Sequence, residues 1–327
     1  MMNNQFKGSS RQFIEYLDRE SQSGDDFEIN SLKLLEELCD HCFSFISQQK
    51  VNFISQLEKL PEKMLLIVPE NVKDQCKNLK QSFIFSANPK LDTIKLIKQF
   101  YLEPENSLYA DRIHKTAIIS PDARIHPSVK IGAFSILENC EIGEGTEIKE
   151  NVHVYANVTI GKNVRINSSC EIGTSDFGPE RDENNELILF PQIGGLIIED
   201  NVEIFPFTAI GKGAIKNTLI KKGVKIDHCC QIGHNTEIGE NTVITANSII
   251  AGSAIIGRNN WIGAHSVIKN GICIGDNVVI GIGSVVTKNF SDNQTIAGNP
   301  ADQLKTKIEE RRFLNDLMKK NTSGHDS

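Results

Sequence analysis

Isoleucine stands at Ile226, Ile232, Ile238, Ile244, Ile250, Ile256, Ile262, Ile268, Ile274 and Ile280, ten in a row at a spacing of six, with Val286 one step further. No α-helix brings every sixth residue to one face, because six steps of about 100° carry the side chain far round the cylinder. A plain strand has a period of two and runs for about five or six residues. A fixed six-residue repeat marks a parallel β-helix, in which each repeat supplies one short strand and one corner. The isoleucines are expected to point into the coil. Glycine follows several of them, at Gly233, Gly239, Gly257, Gly263, Gly275 and Gly281, and is expected to supply the backbone freedom of a tight corner.

The hexads begin at Ile113 and pass through Ile119, Ile125 and Ile131; after one slip they run through Ile142, Ile148, Val154, Ile160, Ile166 and Ile172. Residues 173–192 break the period with a charged, Gly- and Pro-containing insertion. Insertions in a solenoid emerge as loops on one face, where function concentrates. The period is expected to resume at Ile193, Ile198, Ile204 and Ile210, with slips at Ile215 and Ile220.

Ahead of the repeats, residues 1–28 read as a polar N-terminal arm with at most one short helix, and residues 29–110 as a small α/β domain. Within it the patterns predict a helix through Leu32, Leu35 and Leu38, a strand at Phe43–Ile46 and a helix through Ile54, Leu57 and Leu60. Strands follow at Met64–Val68 and Phe83–Phe85, then a helix from Lys90 to Tyr101 and a polar linker over 103–112. Residues 111–300 form the β-helix, and 301–327 a C-terminal helix and tail. Lys305, Lys307, Arg311, Arg312, Lys319 and Lys320 make that helix basic, which suits either a solvated cap or a dock for an acidic partner.

The formal net charge of −7 argues against nucleic acid as a partner. No run of about 18 apolar residues exists, so no transmembrane segment is expected. The polar start, Met1 to Phe13, predicts no signal peptide, and a cytoplasmic protein is the expectation. Eight dispersed cysteines do not form a secreted disulfide framework. Cys39 and Cys42 make a CxxC without a second pair, which reads as buried thiols in preference to zinc.

Four segments carry a resemblance: GTSDFG from Gly173, FPQIGGLIIEDNVEI from Phe190, GAIKNTLI from Gly213, and KIDHCCQIGHNTEIGEN from Lys225. Their order and spacing resemble the hexapeptide-repeat acyltransferases, and within them the UDP-3-O-(3-hydroxyacyl)glucosamine N-acyltransferases of lipid A biosynthesis. The resemblance implies a mainly β protein: a left-handed parallel β-helix with 18-residue coils, preceded by a small α/β domain that binds a nucleotide sugar and followed by a C-terminal α-helix. It implies a homotrimer, no permanently bound cofactor and no metal, and a thioester co-substrate on acyl carrier protein or CoA. Phe45, Asn88, Asp176 and Phe177 occupy places similar to nucleotide-sugar contacts. The family's DRGA is GKGA here, from Gly211 to Ala214, and its second histidine is missing beside Asn270 and Gly271. The segment GIGSVVTKNF and the later AGNPA, within Gly281–Ala301, are similar to sugar acetyltransferases that use acetyl-CoA.

The chemistry expected is acyl transfer from a thioester to a sugar amine. The amine must lose a proton to attack, and an imidazole with a reference pKa of about 6.5 suits that task. His234, in QIGHN, is the expected general base. Coil arithmetic puts Gly252 one turn below it as a backbone oxyanion donor. His265 is a possible partner histidine. The small residues Gly263, Ala264, Gly281 and Gly283 leave room for the donor arm, and the resemblance puts Val285 near where the family sets chain length. Three other readings are an acetyl-CoA-dependent N-acetyltransferase of a nucleotide deoxyamino sugar, a metal-dependent protein of the carbonic anhydrase kind using His228, His234 and His265, and a non-catalytic scaffold.

Overall fold

A computed structural model describes residues 6–101 and 111–322, with side chains to residue 316. The linker expected over 103–112 lies mostly outside the described residues, as do the last five residues of the tail. The chain divides into two compact units, Met1–Glu105 and Asn106–Ser327.

The first unit is a five-stranded sheet. Its strands are β1 (Ser21–Gln22), β2 (Ser31–Leu32), β3 (Cys42–Phe45), β4 (Met64–Pro69) and β5 (Ser82–Ser86), in spatial order β1-β5-β4-β3-β2. β2 to β5 run parallel and β1 pairs antiparallel to β5. Every residue of β4 is buried, as a parallel strand covered on both faces requires. Helices α1 (Ser10–Leu17) and α3 (Pro89–Phe100) cover one side through Phe13 and Leu96; a 3₁₀ segment, Gln48–Lys59, and the short helix α2 (Lys73–Cys76) lie with the cluster on the other.

The expectation of a polar arm is corrected here. Ser9 caps α1 in a reciprocal capping box with Gln12, Phe13 is fully buried, and β1 is an edge strand. Few apolar residues were needed, because Phe13, Leu17 and Phe27 all point to the same core. The helix expected through Leu32–Leu38 is also absent: Leu32 pairs in β2 with Phe43, and only Leu35–Glu37 turn as 3₁₀. Sheet pairing won over the leucine spacing.

The second unit is the β-helix. Three sheets form its faces, with eight, ten and nine strands among the described residues; they are parallel except where Asp302–Gln303 pairs antiparallel with Thr295–Ala297 at the end of the ten-stranded one. A regular coil runs from Thr218–Ile220 on the first face to Lys225–Ile226 on the second and Gln231–Ile232 on the third. Lys225 pairs with Val243 and Gln231 with Ile249, so one coil is 18 residues. Ile226, Ile232, Ile244, Ile250, Ile262, Ile268 and Ile280 are at most 1% exposed and stack into a continuous core. Ile193 and Ile215 are 70% and 71% exposed and do not belong to it. They sit in the two places where the coil is lengthened, since Val158 pairs with Leu196 and Leu196 with Thr218.

The glycines after the isoleucines do not take left-handed backbone. That conformation falls two residues on, at Asn235, Asn241, Asn259 and Asn277, where asparagine tolerates it. The glycines serve close approach instead: a Cβ on Gly233 would lie 2.6 Å from the Gly252 nitrogen of the next coil.

The expected C-terminal helix is α4 (Leu304–Thr322). Its Leu304, Ile308, Phe313 and Leu314 remain exposed, so its apolar side does not close over the solenoid core. None of the helices among the described residues is long and apolar enough to cross a membrane.

Candidate active site

The corner between the third and first faces carries the candidate base. Ile210 pairs with Ile232 and Ile232 with Ile250, which stacks Lys212, His234 and Gly252 in successive coils. The His234 ring lies flat on Gly252. A Cβ at Gly252 would stand 2.6 Å from His234 Nε2 and 2.8 Å from Cδ2, so only a hydrogen fits under the ring. His234 is half-buried, and its Nδ1 is buried without a hydrogen-bond partner.

The insertion supplies the acid beside it. Asp176 Oδ2 accepts the backbone N–H of His234 at 2.6 Å, and Oδ1 accepts the N–H of Phe177 at 2.8 Å. Room for this carboxylate exists because residue 211 is glycine: a Cβ there would be 3.1 Å from Asp176 Oδ2. The Lys212 N–H donates to the Thr174 carbonyl at 2.9 Å, tying the root of the insertion to the same corner. Asp176 is thus anchored 58 positions from the residue it touches. The rest of the insertion is a hairpin pairing Pro179–Arg181 with Leu187–Leu189. Phe177 at its root is 76% exposed.

The corner therefore brings together an imidazole, a carboxylate bonded to the backbone N–H of the same residue, and a backbone amide. The Gly252 N–H has no hydrogen-bond partner among the described residues. An imidazole takes or gives a proton, and a free amide can face developing negative charge.

Other expected residues lie elsewhere. Gly263, Ala264, Gly281, Gly283 and His265 stand on the corner between the second and third faces, one strand away from His234. His265 is exposed, with left-handed φ of 58°, and its backbone N–H donates to the Ala246 carbonyl. Val285 points outward on the third face in register below Val267 and Ile249, extending an apolar stripe past the His234 level. No three His, Cys, Asp or Glu side chains among the described residues of one copy converge to hold a metal. Cys39 and Cys42 are free thiols, and burial pushes the Cys42 thiol up to about 11.

In the first unit, Phe45 is half-buried against the sheet core. The Asn88 side chain caps α3, accepting the Leu91 N–H at 3.1 Å. A cavity of about 540 Å³ lies at the start of α4, lined by Thr295, Leu304, Ile308 and Arg312 among others.

Comparison with known proteins gives the following. Residues 139–174 and 217–252 match the family "Bacterial transferase hexapeptide (six repeats)". Over 231 residues, 64% of this chain, it is 32% identical to a UDP-3-O-acylglucosamine N-acyltransferase of Coxiella burnetii, spanning 65% of that relative's length. A protein of the same name from Francisella tularensis is 49% identical over 61 residues, 19% of this chain and 18% of the relative. Among solved structures, the UDP-N-acetylglucosamine O-acyltransferase of Moraxella catarrhalis aligns with TM-score 0.55 and 27% identity, covering 59% of this chain and 74% of that one. The Acinetobacter baumannii structure aligns at 0.54 and 25%, covering 62% and 78%. The fold is the left-handed β-helix of those proteins.

Proposed function

We infer that this chain, which belongs with the hexapeptide-repeat acyltransferases of left-handed β-helix fold, moves an acyl group from a thioester to the amine of a nucleotide-linked amino sugar. UDP-3-O-acylglucosamine is the acceptor its curated relatives suggest by name. The observation that carries the reading is the His234 constellation: a ring seated on Gly252 and anchored at its backbone by Asp176.

The step balances as follows. The sugar amine attacks the thioester carbonyl carbon while His234 takes its proton. The carbonyl oxygen becomes an oxyanion, faced by the Gly252 N–H. The tetrahedral centre collapses, the C–S bond breaks, and the imidazolium returns the proton to the departing thiolate. Asp176 holds the loop of His234 in place and is a positioning residue. No nucleophilic side chain adjoins His234 in the sequence, which favours direct transfer over a covalent acyl-enzyme. The stripe Ile249–Val267–Val285 offers an apolar track for a hydrocarbon chain. The basic start of α4 suits an acidic acyl carrier protein, and a homotrimer in the cytoplasm would bring corners of neighbouring copies together.

The test is a transfer assay read by mass spectrometry. 3-Hydroxyacyl carrier protein and acetyl-CoA are offered in parallel, against UDP-3-O-acylglucosamine and a panel of UDP- and dTDP-linked 3-amino and 4-amino sugars. A long-chain amide on the glucosamine acceptor is the expected product. Acetylation of a deoxyamino sugar alone would move the protein to the acetyltransferase reading, and silence with every pair would overturn acyl transfer.

A further inference from the structure

The histidines of the described residues fall into groups. His41, His114 and His126 spend Nδ1 on local contacts, with Glu28 O, Thr116 Oγ1 and Ser128 Oγ, each at 2.9 Å. His153 is engaged at Nε2 by Glu138 at 3.0 Å, with Glu171 4.0 Å from Nδ1. His228 is different. Its Nδ1 lies 2.6 Å from Asp227 Oδ1, which also accepts the His228 backbone N–H at 2.8 Å, and Asp227 Oδ2 accepts the Ala246 N–H at 3.2 Å. Partial burial works against the charged carboxylate, but these hydrogen bonds outweigh it and hold its pKa below the ordinary value. The His228 side chain is 52% exposed, the Phe205 ring lies 5.2 Å away, and Nε2 has no partner among the described residues. A carboxylate-oriented imidazole with its other nitrogen open is the arrangement of a ring held for a ligand.

The wall beneath it is slim and uncharged. Successive coils place Ala246 and Ala264 under His228, and Thr245 and Gly263 under Asp227. A Cβ on Gly263 would lie 2.6 Å from the Ile282 nitrogen, so that wall cannot be built up by a side chain. The corner between the first and second faces is the opposite: it stacks Lys222, Glu240, Arg258 and Asp276. His228 and His234 flank the third face at its two ends, with Gln231 and Ile249 outward between them.

We propose that the Asp227–His228 dyad binds the amide-bearing arm of the thioester donor, with His228 Nε2 accepting an N–H of that arm above the Ala246–Ala264 wall. This rests on the acyl-transfer reading of the site. In the neutral ring, with Nδ1–H donated to Asp227, Nε2 carries the lone pair and accepts, so the ligand brings a donor. A neutral, narrow chain with amide N–H groups fits such a wall. A phosphate does not, since Thr245, Ala246, Gly263 and Ala264 put no cation directly beneath the dyad.

The test uses pantetheine as the probe, added to the full-length protein with isotope-labelled histidine and followed by NMR. Pantetheine is expected to move the His228 ring signals. His228→Ala should weaken pantetheine binding by roughly three- to ten-fold, the scale of one hydrogen bond, and Asp227→Asn should weaken it in the same direction. His234→Ala should bind the probe as the wild type does while losing transfer. Unmoved His228 signals, no pantetheine binding, or equal affinity in His228→Ala would overturn the proposal. So would UDP-glucosamine moving His228 where pantetheine does not. Pantetheine binding at His228 without transfer to any sugar would keep the dyad as a pantetheine site while removing the transferase reading, so the two fail separately.

Discussion

The His234 ring rests where the chain has no side chain, and the consequence is specific. Gly252→Ala places a methyl group into Nε2 and Cδ2 of the ring and must tilt it off the corner. Transfer should fall by about 10²-fold, because a displacement near 1 Å suffices for that, while the melting temperature stays close to wild type. Asp176→Asn keeps the shape but weakens the bond to the His234 N–H. It should lower turnover by roughly ten-fold or more with little change in acceptor affinity; a variant that loses acceptor affinity alone would make Asp176 a substrate contact instead. His234 was legible in the sequence because its motif is local and the hexad count places it at a corner. The Asp176 contact was not, because it depends on the insertion folding back onto a coil reached only after Gly211 has cleared space for the carboxylate. His228 was visible as a residue, but its pairing with Asp227 depends on side-chain geometry that spacing does not encode.

At the level of elements, the solenoid is the part the sequence states most openly. Each isoleucine of the long run contacts the coils above and below, so Ile250→Ala removes packing from two interfaces and should cost about 2–5 kcal/mol, read as a shift in the denaturation midpoint. The α/β unit is less legible, because its short segments are decided by pairing across the sheet. Leu32 and Leu35 lie at helical spacing, yet one is a strand residue and the other turns as 3₁₀. Asn88 read as a ligand contact and stands as a helix cap; Asn88→Ala should cost about 0.5–2 kcal/mol of stability. Asp92 links the elements of this unit, receiving Ser86 Oγ at 2.7 Å, Lys95 at 3.0 Å and Arg19 at 3.2 Å. Burial raises its pKa, but these partners together hold it below 3.8. Its contribution is therefore present above pH 3.8 and lost as the pH falls through the lower folded value. Asp92→Asn should be less stable at neutral pH and should flatten that acid limb in a pH series of melting temperatures.

One unit is an open α/β sheet and the other a solenoid whose corners differ in chemistry. One corner is charged, one is slim and carries Asp227–His228, and one carries His234. Solenoids stack nearly identical coils, and this one departs from identity in the two coils before that of His234, at the insertion and at the Gly211–Asn217 lengthening. That coincidence of irregularity with an imidazole seated on a glycine is the structural case for a catalytic corner. The most direct test is steady-state transfer by wild type and His234→Ala on the productive donor–acceptor pair, with circular dichroism as the control for fold. The account predicts a loss of about 10²–10⁴-fold in kcat, the range for a general base, with an unchanged spectrum. A His234→Ala protein that turns over near the wild-type rate would contradict it.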